Sequence, residues 1–238
     1  PDACFCHIRA NPAHDISRAD YERDILKPVL EYIEKNGLAS QVRFIVFTKG
    51  LPYRIVWNAS TKVSVTTPAG AGSMAIDHMN ENPYFEGDKR FHGLPGLPYL
   101  SICLTGYAVE DVLRCIDQGV ASDGTSPEGT VYLFDGVGPR ARVHPAYGRP
   151  LAIEGLKKCG IRTEVREGHS LKDEQDVLGY WTGAVRVNTK NLKFLPGALA
   201  DHLTSFGGIL FNNKSQMSIL DFIQAGATGS YGTVMEPT

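Results

Sequence analysis

The sequence predicts an α/β fold, a three-layer sandwich around a mostly parallel sheet. Three observations predict it. Strand-like and helix-like stretches alternate along most of the chain. The run Val42-Arg-Phe-Ile-Val-Phe47 is nearly continuously apolar, the pattern of a strand buried on both faces in a parallel sheet. The 238 residues are enough to bury a sizeable core and are read as one domain spanning 1–238.

The elements follow in order. Ala3 to Ile8 reads as a short strand. Ser17, with Asp20 three residues on, reads as a helix N-cap. The helix carries an apolar stripe at Tyr21, Ile25, Val29, Tyr32 and Ile33, is expected to kink at Pro28, and stops at Gly37. The strand 42–47 ends in the turn Thr48-Lys-Gly-Leu-Pro52. Residues 58–98 are rich in Gly and Pro and lack periodicity, so an irregular surface insertion is expected there. A strand at Tyr99–Leu104 and a helix through Val109, Val112, Leu113 and Ile116 come next. Thr130–Phe134 is a strand closing at Asp135-Gly136, and a helix over 151–158 ends at Gly160. Arg162–Arg166 alternates with polar residues, which places it near a sheet edge. Asp176–Trp181 is a strand, Ile219, Leu220, Phe222 and Ile223 form a last helical stripe, and Ala227–Val234 is the last strand.

Composition excludes several classes. Twenty-four Lys and Arg against 26 Asp and Glu leave no basic field for non-specific binding of nucleic acid or anionic membranes. No apolar run reaches the roughly 18 residues of a membrane span. Five cysteines form no even framework; Cys4 and Cys6 on one strand would stand about 6.6 Å apart, near the limit for a disulfide. All five are expected to behave mainly as buried small hydrophobes. No zinc spacing is present, so no metal is expected. No cofactor is expected either: there is no Gly-x-Gly-x-x-Gly after a strand and no phosphate-binding P-loop.

Ligands of open parallel sheets bind beyond the carboxyl ends of the strands. The candidates there are Lys49, Asp135, Tyr180 and Trp181 for substrate binding, and His202 with Ser205 for catalysis. Lys49 suits an anionic group, or is a solvated turn residue. Asp135 is a site carboxylate, or a turn Asp bonding its own backbone. His202 and Ser205 are spaced to share one face of a helix, whereas Asp201 points away and cannot orient that imidazole. The alternative is a strand or helix terminus with a satisfied histidine. There is no Gly-x-Ser-x-Gly elbow. The glycines from Gly226 to Gly232 are read as close backbone approach.

Several blocks together carry a resemblance. They are Thr48-Lys-Gly-Leu-Pro52, Asn82-Pro-Tyr84, Gly179-Tyr-Trp181, Pro196-Gly-Ala198 and the closing Gly226-Ala-Thr-Gly…Gly-Thr-Val-Met-Glu-Pro237. In these the chain resembles a bacterial family that accompanies the exosortase protein-sorting system. That resemblance implies export, to the periplasm, the cell surface or the medium, and ends trimmed on both sides; the family carries no assigned reaction. The order of elements is more distantly similar to caspase-like peptidases of the gingipain type. Their catalytic His-Gly would fall near Tyr180-Trp181-Thr182 and their Cys near Thr204-Ser205, and neither residue is matched. A serine without a base is a poor nucleophile near neutral pH. The expectation is a non-catalytic or altered caspase-like domain that binds a protein or cell-surface partner. The alternatives are a hydrolase using Ser205 and His202, and a Rossmann-like small-molecule binder.

Overall fold

The structure is a computed structural model and describes residues 4–69, 99–135, 149–168 and 170–236. The fold is α/β. The chain divides into two compact units, Pro1–Leu104 and Thr105–Thr238.

In the first unit, β1 (Asp15–Ser17) leads into α1 (Arg18–Tyr21). Ser17 caps it as expected: the Asp20 N–H donates to Ser17 Oγ at 3.1 Å. A π-helical turn, Glu22–Leu26, precedes α2 (Lys27–Lys35). Pro28 therefore stands in the first turn of α2, where its missing N–H costs little. Gly37 ends the helix at φ 63°. The Leu38 N–H then reaches Ile33 O at 2.9 Å, closing the last turn. Tyr21, Ile25, Val29 and Ile33 are buried on the inner face.

Three further strands follow: β2 (Phe44–Thr48), β3 (Arg54–Val56) and β4 (Lys62–Ser64). With β5 (Leu100–Leu104) they form two small sheets, β1-β3-β4 and β2-β5. Two expectations are corrected. Residues 5–8 form no strand; the first ladder is β1 against β3. β2 is buried on one face only, since Ile45 and Phe47 are inside while Phe44 is 58 % and Val46 47 % exposed. Its apolar run fills a two-stranded sheet packed on the core from one side. Of the expected insertion, residues 58–69 hold β4 and a helical turn, and 70–98 lie outside the described residues, with the Asn82-Pro-Tyr84 motif.

The second unit is built on five parallel strands. In chain order its elements are α3 (Val109–Ser122), β6 (Thr130–Asp135), α4 (Arg149–Lys158), β7 (Arg162–Glu167), β8 (Val177–Thr182), β9 (Phe194–His202), α5 (Leu220–Ala225) and β10 (Gly229–Tyr231). The sheet order is β7-β6-β8-β9-β10, all pairs parallel. β7 is the edge its polar alternation predicted. The order reverses between β6 and β8, the switch point at which open α/β sheets place ligands.

One sheet face is dry. Tyr180 packs its ring 5.5 Å from both Phe134 and Phe222, joining β6, β8 and α5. Tyr132, Ala198, Ala200 and Phe194 complete that core. β9 was hidden in the sequence by Pro196 and Gly197. Between Phe194 and Leu199 it bulges by several residues against β8, with Gly197 at φ 84°. β8 bulges too, by one residue at Leu178 against β6.

No cysteine among the described residues is fully buried: Cys4, Cys103 and Cys159 are exposed, Cys6 and Cys115 intermediate, all as free thiols. That corrects the expected burial. Cys159, for one, sits in the turn just past the end of α4, where no packing layer covers it.

Candidate functional site

The bulge at Leu178 decides which residues meet solvent. In a strand, side chains alternate between faces. The extra residue lets Val177 and Tyr180 share the dry face, and turns Gly179 and Trp181 to the other. Register then sets two rows across that second face. The first is Leu133, Trp181, Asp201 and Tyr231, from β6, β8, β9 and β10. The second is Val131, Gly179, Leu199 and Gly229.

Above these rows lies an open cleft of roughly 840 Å³, bordered by Leu156 and Cys159 at the end of α4 and by Thr125 and Ser126 before β6. Its size and apolar lining are those of a small-molecule site. The two glycines hollow its floor. A Cβ at Gly179 would stand 2.9 Å from Val131 Cγ1, and one at Gly229 3.0 Å from Leu199 Cδ2. Leu199 and Tyr231 are largely exposed, at 64 % and 69 %. Asp201 is half-buried, and burial pushes its carboxyl up to about 6, partly countered by the backbone N–H of His202.

The expected site residues divide between environments. Trp181 lines the cleft. Tyr180 contributes only backbone there: its ring is core, its hydroxyl accepts from Leu171 N–H at 3.3 Å, and burial pushes it up to about 12. Asp135 ends β6 and is ion-paired with Arg149 of α4. Lys49 is exposed in the turn after β2, in the first unit. His202 and Ser205 are buried, 1 % and 3 % exposed.

His202 is on a strand, not a helix, so it faces the dry side and Asp201 the cleft. Its Nδ1 lies 2.9 Å from Thr204 Oγ1, and its ring 5.8 Å from that of Phe222. A Cβ at Gly207 would stand 2.9 Å from Nε2. Burial pushes this imidazole down to about 4. Ser205 opens a turn pinned on several sides. Phe206 N–H donates to Gln216 Oε1 at 2.7 Å, Asn213 Nδ2 to Phe206 O at 2.6 Å, and Thr233 Oγ1 to Thr204 O at 2.7 Å. Gly208 and Gly232 touch backbone to backbone: a Cβ at Gly232 would stand 2.5 Å from Gly208 N. The close approach expected for the Gly226–Gly232 run is there.

No protein-family model, curated protein or solved structure matches this chain.

Sequence reasoning missed Asp201, Leu199 and Tyr231 as cleft residues. The alternation Leu199-Ala-Asp-His202 was the available signal. Among the described residues no three His, Cys, Asp or Glu gather as a metal group, and no helix is long and apolar enough to cross a membrane.

Proposed function

We propose that this chain is a ligand-binding domain whose site is the cleft over Trp181, Leu199 and Asp201, and that it does not hydrolyse its ligand. The observation that carries the reading is the contrast between the two faces of one sheet. His202 and Ser205, the pair a hydrolase would need, are sealed on the dry face. An imidazole held down near 4 and bonded to Thr204 is neutral at physiological pH, but no substrate reaches it. The open face offers volume, apolar contact and one carboxylate, which are means of recognition.

Kinship with the exosortase-associated family, a caspase-like ancestry with its chemistry lost, and export to the cell surface belong to this proposal as well. Their support is the motifs quoted from the sequence.

Two measurements test the reading. A fluorophosphonate probe should leave the protein unlabelled; labelling that disappears in Ser205→Ala would overturn it in favour of the hydrolase. In a fragment screen followed by NMR, hits should move the Trp181 indole and the Gly179 and Gly229 amides. Hits that cluster elsewhere and leave those signals still would remove the cleft as the site.

A further inference from the structure

Three aspartates of the second unit are paired with arginines. Asp111, 6 % exposed, pairs with Arg114 at 2.7 Å; Asp176 pairs with Arg162 at 3.2 Å; Asp135 pairs with Arg149. Asp201 differs. It is half-buried, yet among the described residues no salt bridge reaches it and no other residue that lines the cleft carries a formal charge. Removing water from a carboxylate without supplying a counter-charge is costly. The fold bears that cost at a cleft floor, where a ligand can relieve it.

The neighbours of Asp201 fit the same ligand. Trp181 and Tyr231 stand on either side of it in the same row, on adjoining strands. At about 4.8 Å per strand, their attachment points are about 10 Å apart, room for one organic cation between two rings. Aromatic faces attract ammonium and guanidinium groups. This chain already uses that contact, with the Arg18 guanidinium 4.1 Å above the Trp57 ring. Behind the row, Leu199 and the hollow at Gly179 and Gly229 offer an apolar bed for a stem.

We propose that the cleft binds an organic cation, an ammonium or guanidinium group on an apolar stem, seated against Asp201 between Trp181 and Tyr231. The inference rests on the cleft being the ligand site and adds the class of ligand. The cation can come from a free amine or from a lysine or arginine side chain.

The test follows the two tryptophan indole N–H signals by NMR at pH 7.5 while hexylammonium, neutral hexanol and Nα-acetyl-lysine methylamide are titrated in. Hexylammonium should move the Trp181 signal saturably and leave that of Trp57 in place. Hexanol should bind at least about tenfold more weakly, and Asp201→Asn should weaken hexylammonium by a similar factor, as loss of one charged partner predicts. Tyr231→Leu, at an exposed site, should also weaken it while the rest of the spectrum is unchanged. Binding of the lysine derivative alone, with the same dependence on Asp201, assigns the cation to a polypeptide side chain and supports the proposal. Equal binding of hexanol and hexylammonium, or an Asp201→Asn variant with unchanged affinity, overturns the cation and leaves the cleft standing. If no probe moves Trp181, the cleft itself falls.

Discussion

His202 Nδ1 and Thr204 Oγ1 lie 2.9 Å apart on the dry face, while Asp201, the next residue back along β9, faces the open cleft. The two titratable groups are pushed in opposite directions. Burial takes the imidazole from 6.5 down to about 4, and the carboxyl from 3.8 up to about 6.

Their effects on stability oppose each other. The unfolded chain protonates His202 near its ordinary value and the native state refuses that proton. This contribution is therefore full above about 6.5 and is lost as pH falls toward about 4. Asp201 keeps a proton in the native state that the unfolded chain has released. Its contribution is full below about 3.8 and is lost as pH rises through about 6. Between pH 4 and 6 the slopes offset each other. In Asp201→Asn the urea midpoint should fall more steeply from pH 6 to pH 4 than in the wild type. Parallel profiles for the two proteins would refute the opposition.

Two glycine substitutions should have opposite signs. Gly119 sits inside α3, and a Cβ added there would meet nothing within 4 Å, so Gly119→Ala should stabilise by about 0.5–1 kcal/mol. Gly232→Ala forces a Cβ to 2.5 Å from Gly208 N and should cost about 1–3 kcal/mol or more, because backbone cannot step aside. Urea denaturation of both variants reads the difference directly.

In the first unit, Arg54 grips Asp15 with two hydrogen bonds, Nε to Oδ1 at 2.7 Å and an Nη to Oδ2 at 2.8 Å, tying β3 to β1. Arg54→Met should cost about 1–3 kcal/mol, and Arg54→Lys should recover only part of it, since lysine lacks the fork. That bond to Arg54 holds the Asp15 carboxyl below its ordinary range. The stability it adds is present above about pH 3.8 and is lost as pH falls further. A Lys variant with the wild-type midpoint would show that the fork contributes nothing.

Tyr180 and Trp181 are neighbours with separate tasks. Tyr180→Phe leaves the Leu171 N–H without its acceptor and should lower stability by about 1 kcal/mol without altering the cleft. Trp181→Ala should remove ligand response while the midpoint moves little. A Tyr180→Phe protein with impaired ligand binding would contradict this division.

Much of the architecture was legible locally. The Ser17 cap, the Gly37 stop, the edge character of β7 and most strands follow from hydrogen-bonding groups and periodicities within a few residues of one another. β9 was not legible, because Pro196 and Gly197 read as a turn and only pairing with β8 and β10 absorbs them in a bulge. Its absence from the sequence reading carried over to the site: with 201–205 taken for a helix or terminus, His202 and Ser205 looked like partners.

The sequence by itself determined that alternating strands and helices would build an α/β sheet, and that Trp181 would stand near a strand end. Only the tertiary structure decided which face each residue of β8 and β9 occupies. One extra residue at Leu178 reverses the alternation, and no local rule reports a register that depends on the neighbouring strand. That register seals His202 away and sets Trp181, Asp201 and Tyr231 abreast in the open.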